Sequence, residues 1–128
     1  GNPLAMAAGL AALSQLDDAA YDSFEKKGAR LVTGLNEAAK TAGVTAQVQR
    51  VGAMLSVYFT EHPVTDFAEA QTTDKSFFGK LFHALLKRGI YLPPSALEAW
   101  FLTLSHSDDD IDRTVEQFGA ALQEASAR

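Results

Sequence analysis

From Asp17 to Gly43 apolar residues return every three or four positions, at Tyr21, Phe24, Gly28, Leu31 and Leu35, while Glu25, Lys26, Lys27 and Arg30 stand between them. This spacing predicts an amphipathic helix, capped by Asp17 or Asp18 and stopped by Gly43. Two runs rich in Val, Tyr and Phe follow, residues 46–51 and 54–60, and Gly52 between them predicts a hairpin. Residues 61–72 fit neither period and are expected to form a connecting loop. Helical spacing resumes after Thr72-Thr73-Asp74, on Phe78, Leu81, Phe82, Leu85 and Leu86, with Lys87 and Arg88 in the last turn and Gly89 beyond it. Residues 90–92 and 100–105 read as two short strands. Ser107 and the three acids after it open a last helix striped by Ile111, Val115, Phe118 and Leu122.

The leading segment breaks this pattern. Residues 3–15, PLAMAAGLAALSQ, carry no charge, and Asn2 with Pro3 gives a helix start running to about Gln15. A helix apolar on every face is expected to be buried all round. A small fold can hardly cover one on every side, so something that would cover it is expected to be missing. The element order ααββαββα predicts a single α+β domain over residues 1–128: a small, mostly antiparallel sheet of three to four strands with helices packed against it.

Charge narrows the functions. With 16 acidic against 11 basic residues and a net charge of -5, and with its basic residues scattered, the chain has no footprint for nucleic acid. It has no cysteine, which excludes disulfides, thiolate zinc sites and a cysteine nucleophile, and a cytoplasmic setting fits. The apolar run of residues 3–13 is too short to span a bilayer and has no basic leader.

Few residues carry candidate chemistry. His62, His83 and His106 lack paired ligand spacing, and Asp108, Asp109 and Asp110 are placed where a helix start wants carboxylates, so no metal is expected. Lys26, Lys27, Lys40, Lys75, Lys80 and Lys87 read as solvated helix-face lysines rather than Schiff-base formers. Neither a Gly-x-Ser-x-Gly elbow nor a glycine-rich phosphate loop is present. That leaves Glu98, set between Pro93-Pro94 and an apolar run. It is either a strand-edge residue facing water or a carboxylate held at a pocket mouth by a rigid turn, ready to accept hydrogen bonds from a ligand ammonium or hydroxyl.

A family resemblance favours the second reading. Gly1-Asn2-Pro3, Arg50-Val51-Gly52-x-Met54, Pro63-Val64-Thr65-Asp66, Tyr91-Leu92-Pro93-Pro94-Ser95, Glu98-Ala99 and Leu104-Ser105-His106 occur in this order, and together they resemble the C-terminal part of the glutamate-1-semialdehyde 2,1-aminomutases, isomerases of the class III aminotransferase group that use pyridoxal phosphate. The resemblance covers essentially the whole chain. It implies the small C-terminal domain of a fold-type I enzyme of tetrapyrrole synthesis, cytoplasmic and homodimeric at full length, with residues 1–16 as the helix linking it to a large domain that carries the Schiff-base lysine. It also implies that residues 1–128 alone bind no cofactor and are inactive. The family's substrate-contacting glutamate falls on Glu98, while Gly1 and Asn2 lie near the cofactor end. Leu97 departs from the aromatic common before that glutamate. The competing expectation is a non-catalytic α+β module that binds a ligand or docks a protein through its first helix.

Overall fold

Each helix begins on a side chain that accepts from its own first turn, which is why the breaks fall where they do. Asn2 accepts from the Leu4 amide at 2.9 Å and opens α1 (Pro3–Leu13); Asp17 accepts from Ala20 at 2.9 Å and opens α2 (Asp18–Ala42). The hairpin β1 (Gln47–Val51) and β2 (Met54–Tyr58) follows. Next come the single-turn helix α3 (Phe67–Ala70), then α4 (Lys75–Lys87), the two-residue strand β3 (Trp100–Phe101) and α5 (Asp108–Ser126). The computed structural model describes residues 1–127. Gly43 ends α2 at φ 67°, and the Val44 amide reaches back to the Ala39 carbonyl at 2.9 Å, a left-handed stop that suits glycine.

The sheet is antiparallel in the order β1-β2-β3. Its pairing sets Arg50 opposite Leu55, Leu55 opposite Trp100, and Val51 and Phe101 opposite Met54. Strand alternation therefore divides the residues cleanly. Leu55, Val57 and Trp100 are buried with Leu31, Leu35, Leu81, Leu85, Ile111, Phe118 and Leu122 in one core between the sheet and the helices. Val51, Met54 and Phe101 form an exposed apolar row on the other face. The fold is the expected α+β architecture.

Two close approaches lock the layers. A Cβ on Gly34 would come within 2.5 Å of Val115 Cγ2, so α2 and α5 are packed on a missing side chain. A Cβ on Gly28 would sit 2.9 Å from Arg50 Cδ, and through that gap the Arg50 guanidinium donates to Gly52 O at 2.8 Å and Glu25 Oε2 at 2.9 Å. This ion pair ties the hairpin turn to α2.

Four expectations need correcting. Residues 90–92 form no strand: the Ile90 amide is used by the Leu85 carbonyl at the end of α4, and Pro93-Pro94 bring no N–H donors for a partner. Residues 100–105 are a strand only at Trp100–Phe101, because the Thr103 amide donates to His106 Nδ1 at 2.9 Å and its carbonyl accepts from the His106 amide at 3.2 Å, closing a turn. The loop 61–72 contains α3, opened by Asp66, whose Oδ1 accepts from the Glu69 amide at 2.8 Å. Finally, α1 ends at Leu13, and none of its residues is buried; Leu4 is 79% and Leu10 72% exposed. The core closes without α1, so its expected cover does not come from the described residues.

Candidate functional site

Glu98 lies in a turn ahead of β3 rather than on the strand. The turn is anchored at both ends, since Leu92, Ala96 and Trp100 are buried, and Pro94 fixes its own φ at the entry. Within it the Glu98 amide donates to Ser95 O at 3.1 Å, the Leu97 amide to Ser95 Oγ at 3.2 Å, and the Ser95 amide to Glu98 Oε2 at 3.1 Å. The Glu98 side chain thus reaches back to the Ser95 amide as in a helix capping box, but the Ser95 hydroxyl takes the Leu97 amide instead of that of Glu98, and no helix follows. The carboxylate is exposed. Among the described residues no hydrogen bond reaches its Oε1.

The neighbours of Glu98 in sequence line two different cavities. Leu97 borders one of about 270 Å³ with Tyr58, Thr65, Asp66 and Phe67, which brings the 63–66 and 95–99 motifs together. Ala99 borders a cleft of about 590 Å³ with Tyr91, Trp100, His106, Asp110 and Arg113. The first depends on a clamp that the sequence reading missed. Gln49 Nε2 donates to Val64 O at 2.7 Å while the Val64 amide donates to Gln49 Oε1 at 2.9 Å, so a side-chain amide holds the connection on the sheet as a strand would. Thr65 then donates through both its amide and its hydroxyl to Glu69 Oε2, each at 2.7 Å, and these bonds hold the Glu69 carboxyl below its usual range.

The aspartates after Ser107 act as the helix start implied. Asp110 Oδ2 accepts from the Ser107 hydroxyl at 2.7 Å and its amide at 2.8 Å, lowering the Asp110 carboxyl from its usual value. His106 holds its turn through Nδ1, so that nitrogen is the unprotonated one there. Asn2 spends its side-chain oxygen on the α1 cap, and Gly1 has open space around its Cα. The structure records no hydrogen bond joining either of them to the Ser95–Glu98 turn.

The lysines lie on the helices α2 and α4. Lys26, Lys40, Lys75, Lys80 and Lys87 are exposed, and Lys27 places Nζ on the His106 carbonyl at 2.5 Å. A Schiff-base lysine needs a desolvated setting, and none of the cavities above is bordered by one.

The aminotransferase class-III family model matches residues 1–122. The chain belongs to the class-III aminotransferase family. This class-III chain is 50% identical over 126 residues to the glutamate-1-semialdehyde 2,1-aminomutase of Anaeromyxobacter dehalogenans and 49% identical over 124 residues to that of Thermus thermophilus. These matches take in 98% and 95% of the chain, yet only 29% of each relative, so the chain spans under a third of their length. An omega-transaminase from Sphaerobacter thermophilus superposes with a TM-score of 0.82 at 30% identity, covering 98% of this chain and 28% of that one. A glutamate-1-semialdehyde aminomutase from Pseudomonas aeruginosa, in complex with PMP, shares the fold at a TM-score of 0.76, with 21% identity over 85% of this chain and 24% of its own. No helix among the described residues is long and apolar enough to cross a membrane.

Proposed function

We propose that this class-III aminotransferase segment is the C-terminal small domain of a glutamate-1-semialdehyde 2,1-aminomutase, the isomerase that forms 5-aminolevulinate for tetrapyrrole synthesis. The observation that carries the reading is the 50% identity to an aminomutase along 98% of the chain. On this reading pyridoxal phosphate and its lysine belong to the large domain, and residues 1–128 alone are inactive. The segment's contribution is Glu98, a carboxylate on an anchored turn that accepts from an ammonium of the substrate. Gly1 and Asn2 lie toward the cofactor, and α1 is the helix between the two domains. The full enzyme is a cytoplasmic homodimer.

The test is a chimaera in which this chain replaces the matching 124 residues of the Thermus thermophilus aminomutase. The expected result is 5-aminolevulinate formation with the chimaera's pyridoxal phosphate bound. A folded chimaera that holds the cofactor and yields no product overturns the reading.

The uncovered α1 supports a second, non-catalytic reading as a docking module, which predicts that residues 1–128 capture a protein unrelated to aminotransferases. Loss of such a complex on Leu10→Glu, in a setting with no cofactor domain, would favour it.

A further inference from the structure

The strands keep charge off the sheet face turned away from the core. Alternation puts Gln49 and Val51 of β1, Met54, Ser56 and Tyr58 of β2, and Phe101 of β3 on that face, and none of them is charged. The segment from Val64 to Ala70 lies over one end of it, held by the Gln49 side chain at 2.7 and 2.9 Å and bordering a cavity with Tyr58 and Leu97. The other end is bare. Val51 is 75%, Phe101 64% and Met54 41% exposed, and the register sets both Val51 and Phe101 directly against Met54. The three are therefore one patch rather than scattered apolar residues. An antiparallel sheet that faces water turns polar residues outward, and this end of the sheet does not.

We infer that the patch of Val51, Met54 and Phe101 is the seat on which the large domain of the full-length chain rests. The match takes up only 29% of each aminomutase relative, so most of such a chain is available to cover the patch in cis. The same face carries the cavity bordered by Leu97, next to Glu98, which the reading above turns toward a substrate held by the large domain. Charge is also absent where a permanent contact excludes it: Arg50, beside Val51, pairs across from Leu55 on the other face and is taken up by Glu25 and the Gly52 carbonyl. The inference rests on the function proposed above and adds a second meeting place of the two domains, on the sheet rather than on α1.

The core closes within residues 1–128, so the same variants can be compared in that segment and in the full-length chimaera with its cofactor. They are Val51→Lys and Phe101→Lys, made singly, with Leu86→Lys on α4 as the control, an apolar residue 46% exposed on the helix side. In residues 1–128 the patch variants are expected to move the thermal midpoint by about 3 °C or less, as surface changes do. In the chimaera the same lysine is set among apolar groups, so the midpoint falls at least about twice as far, and thermolysin releases a fragment of this segment's size at least about tenfold faster. Leu86→Lys moves both proteins alike. Equal shifts of segment and chimaera in the patch variants, or the same excess loss with Leu86→Lys, overturn the inference. So does a variant chimaera that resists thermolysin as before but elutes as a monomer, since the patch is then a contact between subunits. If the patch variants fail these tests while the unmutated chimaera still forms 5-aminolevulinate, the seat is wrong and the proposed function stands.

Discussion

Gln49 and Val64 are joined by two hydrogen bonds of 2.7 and 2.9 Å, a side-chain amide standing in for a fourth strand at the edge of β1. Gln49→Ala leaves both main-chain groups of half-buried Val64 without a protein partner. The expected cost is about 1–2 kcal/mol in the urea-unfolding free energy, with faster hydrogen exchange confined to residues 61–67. Gln49→Glu keeps the acceptor for the Val64 amide but sets a carboxylate against the Val64 carbonyl. It is therefore expected to unfold at lower urea than Gln49→Ala.

Thr73 is a buried polar side chain, and its hydroxyl accepts from the Phe59 amide at 2.8 Å. Thr73→Val preserves shape and removes the acceptor, so the loss is that of an orphaned buried donor, about 1–3 kcal/mol. Thr73→Ser retains the oxygen and is expected to recover most of it. A larger loss for Thr73→Ser than for Thr73→Val, measured by chemical denaturation, would mean that the methyl group rather than the hydrogen bond matters.

Gly34 was legible as a helix residue but not as a packing site. With Val115 Cγ2 only 2.5 Å from a Cβ built there, Gly34→Ala forces α2 away from α5 and is expected to cost about 1–3 kcal/mol. Val115→Ala makes room, so the double variant should be more stable than the sum of the two single losses. A thermal-melting double-mutant cycle measures this coupling.

Carboxyls held low in the folded chain set its acid response. Asp110 is lowered first by the Ser107 side chain, Glu69 by Thr65, and Glu124 by Arg88, whose Nη1 lies 2.5 Å away. Each binds its proton more weakly folded than unfolded, so the stability it adds is present at neutral pH and is lost as pH falls below the ordinary carboxylate range toward the lowered values. Unfolding midpoints followed from pH 6 to pH 3 should fall, and less steeply for Asp110→Asn. A midpoint that rises with acid would contradict the assignment.

The helices α2, α4 and α5 were readable because an apolar stripe and a cap agree at each. Yet Tyr21, in the same stripe as Phe24, is 60% exposed, while Ala20 beside it is buried in the first turn of α2. The strands at 90–92 and 100–105 failed for a different reason. Their side chains favour β structure, but whether the backbone has a partner is settled by Leu85, Pro93 and His106, none of which the period of a strand can register. Glu98 stood out by its setting and took its role from the resemblance, while its partner was in plain view: Ser95 three residues earlier has the Ser-x-x-Glu spacing of a capping box, and only the lack of a following helix hid it. Gln49 gave no signal, because a glutamine on a half-exposed strand looks the same whether or not a loop passes over it.

Helix α1 has eleven residues, a good N-cap and no buried side chain. Helices this short are marginal in water when nothing lies against them. Its helical circular-dichroism signal is therefore a gauge of company: faint while the segment stands alone, strengthening once another surface closes over Leu4, Met6, Leu10 and Leu13.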